Sequence, residues 1–485
     1  MQQCKSGNNL DKYTDTKVFG LPSAEKLRSE LLASENADIR AQLASLFDKD
    51  TFVETSAYAK RGFSDFLTAE GAREFEGVIT GYGAIDGKLV FAFAEDSTRM
   101  GGAIDERHAK KITDLYALAM KNKAPVVGIF DSTGAEIFEG TGSLSAYGRI
   151  AGAVAHASGK IPQIAYVYGN CFGTAAAIAS MFDITVRRNE AKLYVTSPDL
   201  TGVKNGQDFV LAFTGDDSQC AAFIRSLISF LPSCAGAGPI VNICADNLNR
   251  LLGDPDFSGD ALAVVSAISD NGVFYELGHD GNAITTSLAV IGGVRCGIIA
   301  TSFAVGEGRI DAVGARKAAR FVTFCDAYSI PVVTLVDSLG IATDAENERD
   351  GLAPALARLA FAYSVSATPK VTVITGHAIG ASFVLLGSKS LGAELVYATD
   401  NAEIGALNAE AGVAFAWDKY ITLDTTRETL VTNWKENVSS PAAAAASGEI
   451  DDIISVNEMR CRICSALLML SGNGNMTGGR GILPL

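Results

Sequence analysis

Polar and apolar positions alternate along the chain in blocks that recur. Val78 to Ala94 reads as a β-hairpin-like stretch, and Glu106 to Asn122 as an amphipathic helix. Pro125 then introduces Val126 to Phe130, a short apolar run of the kind found in strands buried on both faces. A polar loop and a helix over Leu144 to Ser158 follow, then a second such strand over Gln163 to Tyr168. A glycine-rich turn opens an alanine-rich helix over Gly173 to Met181. The same series returns: hairpin Thr286 to Phe303, helix Ala312 to Tyr328, strand Val332 to Val336 and helix Pro354 to Ala367. Strand Lys370 to Thr375 and helix Gly380 to Leu386 complete it. Strands alternating with helices at this spacing predict parallel β–α–β units.

The recurrence reaches individual residues. Pro125-Val-Val-Gly-Ile-Phe-Asp-Ser-Thr-Gly134 reappears 206 positions later as Pro331-Val-Val-Thr-Leu-Val-Asp-Ser-Leu-Gly340. Pro162-Gln-Ile-Ala-Tyr-Val-Tyr-Gly-Asn-Cys-Phe-Gly173 reappears 207 positions later as Pro369-Lys-Val-Thr-Val-Ile-Thr-Gly-His-Ala-Ile-Gly380. Ala109-Lys-Lys-Ile and Gly87 have partners in Ala315-Arg-Lys-Ala and Gly293. A fixed offset over some 90 positions marks an internal duplication. The join lies near the breaker-rich Leu231–Pro239, and Ser23 to Phe47 reads as an added helical arm. The expected division is 1–66 arm, 67–240 first domain and 241–485 second domain.

With 485 residues and a formal net charge of −15, the chain is a poor candidate for binding nucleic acid. No apolar run approaches membrane-spanning length and the first residues lack a signal-peptide core, so a cytoplasmic protein without membrane insertion is expected. Nine scattered cysteines read as reduced thiols. Cys461 and Cys464 lie one helical turn apart in a helix predicted over Asn457 to Leu470, a packing arrangement. Four histidines without an HExxH spacing give no zinc site, so no metal is expected.

The chemistry is expected at the strand-to-helix turns. Asp131-Ser-Thr-Gly-Ala135 accompanies Gly169–Thr174, and Asp337-Ser-Leu-Gly-Ile341 accompanies Gly376–Ala381. A glycine-rich turn entering a helix exposes backbone N–H groups at the positive end of the helix dipole, where they can hold a developing oxyanion. No nucleophile motif is evident at Ser132 or Ser338. His377 has Asn170 as its counterpart and reads as a turn residue. Glu136, Glu139, Asp344, Glu346 and Glu348 read as solvated loop acids. Chemistry in which backbone dipoles suffice, such as that of a thioester enolate, fits this pattern.

These segments resemble the carboxyltransferase subunits of biotin-dependent acyl-CoA carboxylases and decarboxylases, of the propionyl-CoA carboxylase β and methylmalonyl-CoA decarboxylase α types. In the first half the resemblance rests on Gly77-Val-Ile-Thr-Gly-Tyr-Gly, Gly101-Gly102, Asp131-Ser-x-Gly-Ala135, Glu139-Gly140 and Gly169-Asn-Cys-Phe-Gly173. In the second it rests on Lys317-Ala-Ala-Arg-Phe-Val, Pro369-Lys-Val-Thr-Val-Ile-Thr, Ser388–Ala398, Ala402-Glu-Ile and Ile450-Asp-Asp-Ile-Ile, with the closing Gly-Ile-Leu-Pro-Leu485.

The resemblance implies an α/β fold of two tandem crotonase-like (ClpP/crotonase) β-β-α superhelical domains. It implies transfer of a carboxyl group between biotin and a short acyl-CoA through a thioester enolate. It places the acyl-CoA oxyanion hole at Gly173 and Thr174, and the hole for the biotin ureido oxygen at Ala381 and Ser382. Gly134, Ala135, Gly340, Ile341, Gly380 and Val384 are the expected binding residues. Decarboxylated biotin itself would take the α-proton, so no protein base is required. The chain departs from the family in having Gly173-Thr174 and Gly380-Ala381 for Gly-Gly, and Glu136 for Arg. Val384 stands where propionyl-type enzymes carry Asp.

No biotin-attachment motif and no ATP-binding loop are found, which implies a separate biotin carboxyl carrier protein. Biotin carboxylase or membrane decarboxylase subunits are then the further partners. A homo-oligomer, expected to be a hexamer, or a hetero-oligomer with a related subunit follows from the same resemblance. Two other readings are a non-catalytic paralogue that assembles with an active homologue, and a crotonase-type hydratase with a Glu base at the Gly173 turn.

Overall fold

The structure is a computed structural model describing residues 23–33, 36–61, 74–202, 211–236, 238–253, 255, 257–278, 283–422, 424–472 and 482. The expected boundary at 66/67 lies outside the described residues, as does the closing segment apart from Ile482.

The duplication is realised as two sheets of like construction. The first contains β1 (Val53–Thr55), β2 (Val78–Ile85), β3 (Lys88–Glu95), β4 (Val126–Ser132), β5 (Gln163–Phe172), β6 (Ile184–Arg188), β7 (Lys192–Tyr194) and β8 (Leu211–Gly215). Its order is β1-β2-β3-β4-β5-β6-β8, with β7 on the end of β5. The second contains β9 (Phe274–Glu276), β10 (Ile284–Ile291), β11 (Val294–Thr301), β12 (Val332–Ser338), β13 (Lys370–Ile379), β14 (Leu395–Thr399), β15 (Glu403–Gly405) and β16 (Asp452–Ile454). Its order is β16-β14-β13-β12-β11-β10-β9, with β15 on β13. Each sheet begins as an antiparallel hairpin and continues parallel, as the sequence predicts.

Burial on both faces explains the unbroken apolar runs. Val126, Val127, Ile164, Tyr166, Val332 and Val333 are fully enclosed. Between strands run Glu106–Asn122 and Thr141–Ala157 in the first half, and Ala312–Ala327 and Leu352–Val365 in the second. Asp105 and Asp311 cap the first helix of each pair, their carboxylates accepting from the N–H of His108 and Gly314. The expected arm is two helices, Ala24–Ala33 and Ala37–Leu46. Ile39, Leu43 and Leu46 of the second are buried in the core.

One strand prediction falls short. The Gly169–Phe172 and Gly376–Ile379 segments, read as turns, continue β5 and β13. Asn170 to Phe172 pairs with β7, and His377 to Ile379 with β15. Glycine misled the reading; here it serves a close approach rather than a reversal.

The halves meet at the end of helix Asp217–Phe230. Lys88 Nζ, from the first hairpin, donates to Ile228 O (2.9 Å), Ser229 O and Leu231 O. Arg295 Nη1, from the second, donates to Ser229 O (2.9 Å) and Phe230 O. Two cations thus satisfy carbonyls left open at a helix C-terminus. Burial lowers the Lys88 pKa to about 8, with nearby Arg295 adding to the effect.

Candidate active site

The paired turns lie at the carboxyl ends of adjacent parallel strands, where ligands bind in open α/β sheets. In both halves the strand register breaks at the Asp of the Asp-Ser-x-Gly motif, between Phe130 and Ser132 and between Val336 and Ser338. The break turns the carboxylate onto the neighbouring strand. Asp131 Oδ1 accepts from Asn170 N (2.9 Å), and Asp337 Oδ1 from His377 N (2.8 Å). The approach is so close that a Cβ on Gly169 or Gly376 would overlap the Asp carboxylate. This contact is the reason for both glycines.

The following serines are structural. Ser132 Oγ donates to Gly102 O (2.7 Å) and accepts from Gly134 N (3.1 Å). Ser338 Oγ accepts from Gly340 N (3.2 Å). Gly134 and Gly340 have φ of 125° and 115°, a backbone that favours glycine. Ala135 pairs with Ile104 and Ile341 with Ile310 in parallel bridges. In the first bridge Gly134 O accepts from Ile104 N, and Ile104 O from Glu136 N. The second repeats this through Gly340 O, Ile310 and Ala342 N. A residue so bracketed turns its own N–H to the opposite side. Ala135 and Ile341 therefore each aim one donor away from the bridge.

The second turns match to within a few degrees: Gly173 has φ 57° and ψ −126°, Gly380 φ 58° and ψ −123°. Helices Thr174–Ser180 and Ala381–Leu385 start directly after them. The N–H of Gly173 is engaged by Tyr194 O (2.9 Å), and that of Gly380 by Gly405 O (2.8 Å). Gly173 therefore shapes its turn, and the donors that a helix start leaves open begin at Thr174 and Ala381. Ser382 is fully buried; its Oγ accepts from Ile379 N (3.0 Å) and reaches Ser338 O (3.1 Å). Its side chain ties the two second-half turns together, while its N–H belongs to the helix start. A Cβ on Gly340 would lie 3.4 Å from Ile379 O, so these turns adjoin. Thr174 is exposed, and Val384 is 48% exposed beside the second turn.

Beneath the first turn lies a buried charge network that sequence reading missed. Asp131 N donates to Glu95 Oε2 (3.0 Å). His108, fully buried, has its ring nitrogens 3.8 Å from Glu76 Oε1 and from Glu95 Oε1. Burial raises the Glu76 pKa, and burial lowers that of Lys111 to about 8. Glu136, expected to be solvated, is buried and accepts from Arg61 Nη2 (2.9 Å), whose Nε is 3.5 Å from Asp105. Arg61 neutralises it, so its charge is turned inward and not toward a ligand. No short motif carries this network, because its members are scattered from Arg61 to Glu136. The second half has Thr301 and Gly314 at the places of Glu95 and His108. Thr301 Oγ1 accepts from Asp337 N (2.7 Å) without any charge. Asp344 is an exposed helix cap, as expected of a loop acid.

Cys461 and Cys464 lie on helix Met459–Ser471, and Cys464 packs where a Cβ of Gly292 would touch it. His377 is more than a turn residue. Its Nδ1 is 2.8 Å from Asp337 Oδ1, and its ring stacks on Phe303 with centroids 4.7 Å apart.

The carboxyl transferase domain family matches residues 35–210 and 203–476, which is most of the chain. The chain belongs to that family. It is 35% identical over 490 residues to the methylmalonyl-CoA decarboxylase subunit alpha of Veillonella parvula, covering 95% of this chain and 94% of that protein. It is 31% identical to the propionyl-CoA carboxylase beta chain of Roseobacter denitrificans, covering 92% of each. The transcarboxylase 12S crystal structure with methylmalonyl-coenzyme A and methylmalonic acid bound superposes with a TM-score of 0.80 at 30% identity, over 95% of this chain and 93% of that one. The two repeats are thus the crotonase-like domains that the resemblance implied. Among the described residues no helix of this carboxyl transferase family member is long and apolar enough to cross a membrane.

Proposed function

We propose that this protein transfers a carboxyl group between a short acyl-CoA and biotin borne by a separate carrier protein. The observation that carries the reading is the twofold occurrence of one donor frame: Ala135 with Thr174, and Ile341 with Ala381. The expected donor Gly173 is replaced in this reading by Ala135, because its N–H is engaged by Tyr194. Of the expected pair Ala381 and Ser382, Ala381 keeps its backbone N–H as a second-half donor, and Ile341 joins it in place of Ser382, whose side chain ties the two turns together.

The first frame holds the thioester oxygen as the enolate forms. Its donors are fixed before the reaction, so no reorientation opposes charge build-up. Glu136 does not add a negative charge to this frame, since Arg61 holds it inward. Gly134 and the adjoining first turn give the CoA thioester an unobstructed approach, with no atom within 4 Å of a Cβ built there.

The second frame suits a ureido carbonyl: Ile341 and Ala381 supply the donors, and a Cβ on Gly380 would meet Ala406 O at 3.4 Å. Biotin, when bound, supplies the nitrogen that carries the carboxyl group. Val384 gives this turn an aliphatic, half-exposed neighbour, which fits a short unbranched or methyl-bearing acyl group better than a charged one. A biotin carboxyl carrier protein, biotin carboxylase or membrane decarboxylase subunits, and a hexamer of this chain complete the proposed assembly. The cytoplasm is its proposed location.

The test is to incubate the full-length protein with methylmalonyl-CoA and free biotin and follow propionyl-CoA by chromatography. Biotin-dependent product is expected. Loss of no substrate with methylmalonyl-, malonyl- or propionyl-CoA in either direction overturns the reading.

A further inference from the structure

We propose that Asp337 and His377 form a proton-handling pair at the second-half turn, and that its ligand is the ring N–H of a cyclic urea. This rests on the carboxyl-transfer reading above. His377 sits three residues before Gly380, on the last stretch of β13. Asp337 Oδ1 accepts from both its backbone N–H and its Nδ1, each at 2.8 Å. A carboxylate only accepts, so in this pair Nδ1 carries a proton, and the tautomer without one on Nε2 presents a lone pair there. Phe303, stacked on the ring at 4.7 Å, fixes its plane. Among the described residues nothing bonds Nε2, and a third of the side chain is open to solvent. A charged group alongside is Glu403, the register partner of His377 on β15. Its carboxylate is engaged by Ala409 N (2.6 Å) and lies 3.7 Å from Lys435.

The first half keeps the carboxylate, Asp131, but lacks the imidazole and the aromatic ring stacked on it. Asn170 and Ser97 stand where His377 and Phe303 stand, and Ser97 Oγ donates to Asp131 (2.5 Å). A frame of backbone dipoles alone cannot move a proton; the dyad can. Nε2 takes the proton of the urea N–H: that bond breaks, its electron pair stays on the ligand nitrogen, and a new Nε2–H bond forms from the imidazole lone pair. The Asp337 carboxylate balances the charge gained by the ring. The acyl-CoA's bond to its carboxyl group breaks and leaves its electron pair as the enolate, while the pair on the urea nitrogen forms the new N–C bond to that carboxyl group; the proton then leaves Nε2 for the enolate carbon, and the ring is neutral again. The chain therefore supplies a base that the family resemblance did not require.

Two readouts on the full-length protein test this, with free biotin as the probe. Carbethoxylation of His377 by diethyl pyrocarbonate, followed by peptide mass mapping, should slow severalfold in saturating biotin. Exposed His156, whose Nδ1 is 2.6 Å from Gly152 O, serves as the unprotected control. His377→Asn copies the first half and should lower kcat for transfer to biotin by about 10²–10⁴, with KM for biotin near the parent value. His377→Gln should behave alike, and both should keep the parent thermal midpoint. Equal labelling of His377 with and without biotin, or a His377→Asn protein at the parent kcat, overturns the pair. A parent protein without any transfer overturns the carboxyl-transfer reading and this inference with it.

Discussion

The two halves agree where backbone geometry matters and part where side chains carry charge. Gly102 and Gly308 share a φ of 67° and press against the carbonyls of Asp131 and Asp337. Gly173 and Gly380 share a conformation, and each gives its N–H to a following short strand. Below the turn, however, the first half buries His108 between Glu76 and Glu95, whereas the second has Gly314 and Thr301. Beside the turn, Asn170 and Ser97 face His377 and Phe303. Duplication kept the frame that positions N–H donors, and each copy acquired its own side-chain surroundings.

The strongest break in that comparison is Arg61→Met. It leaves Asp105 and Glu136 buried without their cation and should cost about 3–5 kcal/mol in urea unfolding. Arg309→Met is the second-half control. Its pair with Glu307 (2.9 Å) is partly exposed, so a change within about 0.5 kcal/mol is expected. Equal losses would mean that the buried network does not stabilise the first half.

Next are Thr174→Pro and Ala381→Pro, each of which deletes a single first-turn N–H where proline is tolerated. Each should lower kcat/KM for carboxyl transfer by about 10²–10³ while the protein stays folded. Thr174→Gly and Ala381→Gly keep the donors and should leave the rate near the parent value. If one proline variant transfers at the parent rate, only the other half uses its helix start.

Gly169→Ala and Gly376→Ala sharpen the comparison further. Each sets a methyl group against an Asp carboxylate and should cost about 1–3 kcal/mol. The loss should be greater at Gly169, because Asp131 is held through both oxygens by Ser97 and Asn170. At Asp337 the bonds from His377 N and Nδ1 converge on Oδ1, so its carboxylate can yield more easily. Denaturant midpoints of the two variants decide the order.

These residues also show what was legible in the sequence. Helix Glu106–Asn122 is predicted to the residue, since an amphipathic period and an Asp cap agree there. The turns, too, were legible as paired glycine motifs. The continuation of β5 and β13 was not, because β7 and β15 pair with them from beyond the following helix and leave no local signal. Assigning Gly173 as a donor failed for the same reason: its partner, Tyr194, is distant in sequence. The Arg61–Glu136 and Asp337–His377 pairs join residues 75 and 40 positions apart. Only the fold brings them together.

The smallest effect concerns the seam between the halves. Asp183, buried after the first-half helix Thr174–Ser180, accepts from Tyr328 Oη (2.6 Å) of the second half and from Gln163 N (2.9 Å). Burial raises its pKa from 3.8 to about 6, against the opposing pull of the Tyr328 hydrogen bond. Below pH 3.8 the group is protonated in both folded and unfolded chains, so it contributes no pH dependence there. Between pH 3.8 and about 6 the unfolded chain ionises first, so stability falls as pH rises. Above that window the penalty is constant, of order 3 kcal/mol from the shift alone. Asp183→Asn removes the ionisation but weakens the bonds from Tyr328 and Gln163, because a neutral amide oxygen accepts less strongly than a carboxylate. The net gain expected at pH 7 is about 1 kcal/mol, and the difference between variant and parent there lies about 3 kcal/mol above its value near pH 4. The thermal midpoint of the variant should therefore rise relative to that of the parent across pH 4–7.5. Parallel curves would mean that Asp183 ionises freely at the seam and that the two halves are not joined through a protonatable carboxyl.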